Sequence, residues 1–384
     1  MRKKILFITN AFTCGGVENA LFDLIEGLNR EIFDITVFAL YKGHEWDEKF
    51  LKTGVRIVFA TPILRNPYNP FERVKIHNDY KKLAISRQNH GAGLLDIFFK
   101  ESFDLIICYH GYSDVAACFS LGGKAKTIEY VHCAVDSNPT VRDKTLQNSQ
   151  AIQNCDRILC VSQIAKGQID RLLGVEKKTI VAHNPIRFER IIELANESDV
   201  TIDSPYICAI GNFVRGKGFA MLVNIFGRLS AQAIKCKLVI IGDGPEMDNV
   251  RATVNAYNLE ASVILTGYRA NPYPLLKNAK YLVISSFNEG MPVVAMEALC
   301  LGVPVISAYP SVQELFGTEE CGVIAESTEE GLYSTLNRVL PDEELYQRLK
   351  LGAQRRSEYY KNDGDLKKIE RIYLDLLEED PDVR

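Results

Sequence analysis

Short apolar runs alternate with helix-patterned segments along most of the chain, and this alternation restricts the fold more than any other feature. Strands are expected at Lys4 to Thr9, Phe33 to Leu40, Asp104 to Cys108, Lys126 to Val131 and Arg157 to Val161, with a helix at Val17 to Leu28. A second series has strands at Tyr206 to Ile210, Lys237 to Ile241, Ser262 to Thr266 and Lys280 to Ile284, and a helix at Met221 to Leu229. Such alternation argues for parallel sheets wrapped by helices, an α/β class. A polar stretch from Asn196 through Ser204-Pro205 separates the two series. The expected architecture is therefore two doubly wound domains facing a central cleft, spanning residues 1–198 and 199–365. Residues 366–384 add a terminal segment whose spacing at Ile369, Ile372, Leu374 and Leu377 is that of an amphipathic helix. In sheets of this kind ligands gather at the carboxyl ends of strands, so the loops after strands are where chemistry is sought.

Composition narrows the function classes. A length of 384 residues is enough for two cores, and 47% hydrophobic with 24% charged residues is the balance of a soluble globular protein. The formal net charge of -4 gives no reason to expect nucleic acid as a partner. Ten cysteines are scattered singly, with no CxxC pair and no His-Cys cluster spaced for zinc, which fits reduced thiols in a cytoplasmic enzyme. The opening apolar run, Ile5-Leu6-Phe7-Ile8, is too short for a signal peptide and reads as the first strand. The longest apolar candidate, Val293 to Tyr309, is broken by Glu297, Gly302 and Pro304 and falls short of the ~20 residues that span a bilayer. Any membrane association is expected to be peripheral.

The richest segment runs from Tyr281 to Val305 and reads as strand, loop, helix, strand. Pro292 suits the first helical turn, and Gly302 stops the helix. Glu289 lies in the loop before the helix, and Glu297 lies within it among Val293, Val294, Met296, Leu299 and Leu301. A carboxylate in such apolar company needs a partner, and adjacent sugar hydroxyls can donate to both its oxygens. The N–H groups at the helix start suit a phosphate. Upstream, Gly211-Asn212-Phe213-Val214-Arg215-Gly216-Lys217-Gly218 follows a strand and sets two cations between glycines, where they either neutralise a departing diphosphate or form a solvated turn. Gly242-Asp243-Gly244-Pro245-Glu246 follows the next strand as a tight turn. In the first half, Gly15-Gly16 precede a helix start, either as a turn or as a place of close backbone approach for an anion. No GxGxxG and no GxxxxGK[ST] is present, so neither a nicotinamide site nor a P-loop is expected. His132 follows the strand ending at Val131, where it serves either packing or the site. Ser162 reads as a helix cap.

The words Glu289-Gly290-Met291-Pro292, Glu297-Ala298-Leu299 and Gly302-Val303-Pro304-Val305-Ile306 closely resemble the donor-site signature of the retaining glycosyltransferases of family 4, the group 1 glycosyl transferases. The resemblance covers most of the chain and is strongest from Tyr206 to Ile306. It implies the glycosyltransferase B fold, with two Rossmann-like domains and a terminal helix that crosses back to the first. By the same resemblance the first domain takes the acceptor and the second the nucleotide-sugar donor. Glu289 would address hydroxyls of the transferred sugar and Glu297 the ribose. Lys217 and Arg215 would hold the leaving diphosphate, and His132 would lie against the reacting sugar. Gly15, Gly16, Gly242, Gly244, Gly290, Met291 and Pro292 would shape the donor site. The family usually has an arginine where this chain has Asn212, which leaves open whether Arg215 replaces it.

The reaction so implied is transfer of a hexose or N-acetylhexosamine, from a UDP-sugar before a GDP-sugar, to a lipid-linked or surface-glycan acceptor in polysaccharide biosynthesis. No cofactor and no metal are expected. The Asp-x-Asp pairs at Asp363 to Asp365 and Asp380 to Asp382 lie beyond the last strand and do not suggest a metal site. Segment 64–91 carries six basic against two acidic residues, interleaved with Tyr68, Phe71 and Tyr80, so it is either a contact for an anionic membrane surface or a solvated face. The expected location is cytoplasmic, with peripheral attachment at the inner face of the membrane. Two alternatives share this fold: a sugar-nucleotide epimerase, and a non-catalytic partner subunit of another glycosyltransferase.

Overall fold

Runs rich in Ile, Val, Leu and Phe build two parallel sheets. In the first, β1 (Lys3–Thr9), β2 (Phe33–Ala39), β3 (Arg56–Phe59), β4 (Leu105–Cys108), β5 (Lys126–Val131), β6 (Arg157–Cys160) and β7 (Thr179–Val181) are ordered β3-β2-β1-β4-β5-β6-β7. In the second, β8 (Tyr206–Ile210), β9 (Lys237–Ile241), β10 (Val263–Leu265), β11 (Tyr281–Ile284), β12 (Val305–Ser307) and β13 (Gly322–Ile324) are ordered β10-β9-β8-β11-β12-β13. The computed structural model describes residues 1–13, 15–44, 46–60, 95, 98–109, 124–137, 139–197, 202–231, 236–287 and 289–379. Segment 64–91 lies outside them.

The central strands are covered on both faces, as parallel sheets require, and so carry mostly apolar sequence, whereas the edge strands β3 and β13 are only partly buried. On the first sheet Ile5 and Phe7 face one core with Leu21, Leu24 and Tyr373, while Leu6 and Ile8 face another with Phe99 and Ile169. On the second, Ile207 and Ala209 pack with Leu222, Phe226 and Leu336, and Tyr206 and Cys208 pack with Leu275 and Ala279. Strand order reverses beside the first strand of each sheet, between β1 and β4 and between β8 and β11. These reversals are the switch points at which loops diverge and ligands are held.

Contacts divide the chain into Met1–Pro185 with Asp365–Arg384, and Ile186–Gly364. The division falls before the expected boundary at residue 198, because the helix Phe188–Ala195 packs with the helices Tyr273–Lys277 and Val293–Cys300 of the second unit. The terminal helix Gly364–Glu378 buries Leu366, Ile369, Tyr373 and Leu376 against the first unit. Ile372, Leu374 and Leu377, expected on its apolar face, are only partly buried, because Ile369, Tyr373 and Leu376 take the inward positions. Ser162 caps the helix Gln163–Leu173, accepting from the Ala165 N–H at 3.1 Å. No helix among the described residues is long and apolar enough to cross a membrane. Cys108, Cys133, Cys155, Cys160, Cys208, Cys236, Cys300 and Cys321 are not in disulfides, and burial pushes the thiols of Cys236 up to about 11 and of Cys321 up to about 12.

Candidate active site

The loops after β8 and β11 meet at the switch point of the second sheet. After β8 the chain makes a single 3-10 turn, Arg215–Lys217, and leaves it through Gly218 at φ +69°. A Cβ on Gly218 would stand 2.9 Å from the Ser285 carbonyl oxygen, so glycine is needed for the close approach of the two loops. The Ser285 hydroxyl locks that approach by donating to the Lys217 carbonyl at 2.7 Å. Lys217 is thereby aimed at the β11 loop, where its ammonium meets Glu289 Oε1 at 2.5 Å. The Ser286 hydroxyl donates to the same oxygen at 2.7 Å. Two residues that the sequence brought forward separately thus form one half-buried cation–carboxylate pair. Neither serine was singled out from the sequence, although both lie in the segment that carries the family wording.

Arg215 shares the turn but is exposed, as is Asn212. Gly242 and Gly244 have φ +139° and +152°, and a Cβ on either would overlap the backbone of Gly211 or Phe213. The Phe213 N–H donates to the Asp243 carbonyl, and the Glu246 N–H to the Phe213 carbonyl, both at 2.8 Å. These glycines therefore weld the β8 and β9 loops into one platform.

Gly290, Met291 and Pro292 lead buried into the helix Val293–Cys300. Pro292 stands at the cap position, one residue before the helical turn expected for it. That helix has no acidic residue in its first turn and no side-chain cap, which leaves its start receptive to an anion. Glu297, 8% exposed, points from its middle, and the Tyr273 phenol donates to its Oε1 at 2.9 Å. The partner that the buried carboxylate required thus includes a residue of the chain itself. Nothing in the sequence around Tyr273 marked it.

In the first unit, Gly15 and Gly16 start the helix Gly16–Gly27, and Glu18 in its first turn is 4% exposed. The Thr13 hydroxyl donates to Glu18 Oε1 at 2.7 Å, and the carboxylate lies over Gly15, where a Cβ would come within 2.5 Å of Oε2. At the carboxyl ends of β4 and β5, His132 packs on Tyr109 and Tyr130, with ring centroids 4.6 and 5.5 Å away. The Tyr130 and Tyr373 hydroxyls share a hydrogen bond of 2.8 Å, and burial pushes the phenols of Tyr109, Tyr130 and Tyr373 up.

Known proteins match this chain in sequence family and in fold. The family model for glycosyl transferases group 1 matches residues 192–356, and that for Glycosyltransferase Family 4 matches residues 14–190. The N-acetylgalactosamine-N,N'-diacetylbacillosaminyl-diphospho-undecaprenol 4-alpha-N-acetylgalactosaminyltransferase of Campylobacter jejuni is 30% identical over 204 residues, 52% of this chain and 54% of its own. An uncharacterized glycosyltransferase of Methanocaldococcus jannaschii is 28% identical over 276 residues, 66% of this chain and 64% of its own. The chain thus spans about half the length of the first relative and just under two thirds of the second. The crystal structure of HepE from Anabaena in complex with UDP shares the fold, with a TM-score of 0.72 at 15% identity over 97% of this chain and 99% of that one.

Proposed function

The chain belongs to the group 1 and family 4 glycosyltransferases, with the glycosyltransferase B fold, and from that premise we propose a retaining transfer of a hexose or N-acetylhexosamine from a nucleotide diphosphate sugar to a glycan or lipid-linked acceptor. The observation that carries this reading is the 2.5 Å contact between Lys217 and Glu289 at the switch point of the second sheet. A ligand that engages both must set dense negative charge directly beside neutral hydroxyls. The anomeric end of a nucleotide diphosphate sugar has this make-up.

Lys217, with Arg215 from the same turn and the uncapped helix start at Val293, holds the charge that grows on the departing diphosphate. Fixed cations in this role make a metal unnecessary for donor activation. Glu289 accepts from hydroxyls of the transferred sugar, Glu297 accepts from the ribose, and the acceptor attacks from the face that the diphosphate leaves. His132 is assigned to the reacting sugar on the family pattern alone. A UDP-sugar is the favoured donor, in keeping with the UDP bound by HepE, and the name of the Campylobacter relative favours a lipid-linked acceptor.

The two glutamates separate in one experiment. Glu297→Ala is expected to weaken binding of free UDP and of the whole UDP-sugar alike by roughly 1.5–3 kcal/mol, because both contain the ribose. Glu289→Ala is expected to spare free UDP yet depress turnover severely. Calorimetry with UDP and a UDP-sugar, beside a transfer assay, reads both; GDP and its sugars replace them where the wild type prefers guanosine. Unchanged nucleotide affinity in Glu297→Ala removes the ribose assignment, and unimpaired transfer by Glu289→Ala removes the sugar assignment.

A further inference from the structure

We propose that Tyr273 is a positioning residue that fixes the Glu297 carboxylate for a ribose diol, and so restricts the donor to ribonucleotides. The inference rests on the ribose reading of Glu297.

The contact is a phenol O–H donated to Glu297 Oε1 at 2.9 Å, between residues 7% and 8% exposed. Glu297 sits between Met296 and Ala298, both 0% exposed, in a helix buried along most of its length. In such surroundings a glutamate with three rotatable bonds is costly to leave without donors, and any freedom it keeps must be surrendered when a ligand binds. A phenol on two torsions is a stiff donor, and its bond to a charged acceptor is of the stronger kind.

Tyr273 is itself held from behind. Its N–H donates to Asn271 Oδ1 at 3.2 Å, and the Asn271 amide donates to the Leu194 carbonyl at 2.7 Å and to Glu197 Oε2 at 2.9 Å. Pro272 and Pro274 on either side of the tyrosine restrict its backbone further. The end of the helix Phe188–Ala195 thus fixes Asn271, Asn271 fixes Tyr273, and Tyr273 fixes the carboxylate. A carboxylate preset in this way rewards a ligand that brings two adjacent hydroxyls over one that lacks them.

The test measures UDP and 2′,3′-dideoxy-UDP by calorimetry on the wild type and on Tyr273→Phe, which keeps the ring and removes the hydroxyl. GDP and 2′,3′-dideoxy-GDP replace them where the wild type prefers guanosine. The wild type is expected to bind the ribonucleotide at least about tenfold more tightly than its dideoxy counterpart. Tyr273→Phe is expected to lose about fivefold to tenfold in ribonucleotide affinity while its dideoxy affinity moves less than about twofold, with KM for the donor raised and kcat little changed. A wild type that does not discriminate the two nucleotides overturns the ribose reading and this inference with it. Discrimination in the wild type that survives intact in Tyr273→Phe overturns the positioning role alone. An equal loss for both nucleotides makes the tyrosine a packing residue and also overturns it.

Discussion

The two units place a glycine-containing loop and a helix start at the same end of a parallel sheet, but they treat the helix start in opposite ways. In the first unit Glu18 occupies the opening turn of its helix and lies over Gly15, so the chain supplies its own anion where a helix start carries roughly half a positive charge. In the second unit the helix Val293–Cys300 has neither an acid in its first turn nor a side-chain cap. The cation Lys217 stands at the neighbouring loop, held to Glu289. On the proposed function a diphosphate therefore belongs in the second unit, although Gly-Gly before a helix made the first look equally suited. The glycines differ in the same sense. Gly15 has φ -141°, a conformation open to any residue, whereas Gly242 and Gly244 have φ of +139° and +152° and are jammed against backbone.

The largest effect expected from this contrast is on stability. Gly242→Ala puts a Cβ 1.9 Å from the Gly211 carbonyl oxygen, so the β8 and β9 loops must part. The expected cost is roughly 3–5 kcal/mol, the range reserved for strained backbone and overpacking. Gly15→Ala presses only on the end of the Glu18 side chain, which can turn aside, and should cost less than about 1 kcal/mol. Urea denaturation of the two variants compares them directly. Equal losses would show that the two loops are not built differently.

Next in size is catalysis. Lys217→Ala should lower turnover by about 10²-fold with the fold intact, as loss of one charge that stabilises a transition state does. Wild-type transfer should meanwhile persist in excess chelator. Near-normal turnover in the variant would make Lys217 a surface residue. Activity abolished by chelator and restored by manganese or magnesium would put a metal where the lysine is assigned.

Both sheets were legible from the sequence because a strand buried on two faces is apolar along most of its length: β8 and β11 are so throughout, β1 from Ile5 to Ile8 and β9 from Leu238 to Ile241, whereas β5 also buries Thr127 and Glu129. The strand–loop–helix unit around Glu289 and Glu297 was legible for the same reason, with Gly302 at φ +68° ending the helix where a glycine stop was read. Cross-loop partners were not. Ser285 and Ser286 act on residues about seventy positions apart in the chain or across a tight turn, and Tyr273 reaches Glu297 from another helix. A hydroxyl has no periodicity, so its partner becomes visible only when the sheet order places β8 beside β11. The terminal helix was similar: of the spacing read at Ile369, Ile372, Leu374 and Leu377 only Ile369 is on the buried face, which also holds Leu366, Tyr373 and Leu376.

That tyrosine sets up the smallest effect, and the one that tests how differently the two units are held. The second unit relies on a charged pair at its switch point, while the first relies on neutral aromatic groups, with Tyr130 and Tyr373 sharing a hydrogen bond of 2.8 Å beneath His132 and the terminal helix. Removing one hydroxyl strands the other in the core, so Tyr373→Phe should cost about 1–2 kcal/mol, whereas Tyr130→Phe with Tyr373→Phe should cost no more than either alone. pH gives the second reading. Burial raises both phenols above their ordinary value of 10.0 in the folded state, so the folded chain holds these protons more tightly than the unfolded chain does. Their contribution is complete below that ordinary value and is lost as pH rises above it towards the folded values. The wild type should therefore lose stability steadily above about pH 10, and the double variant, with two fewer groups to ionise on unfolding, should lose less. Denaturation midpoints measured from pH 8 upward decide the matter: parallel curves for the two proteins would mean that the buried phenols are not what holds the first unit at this point.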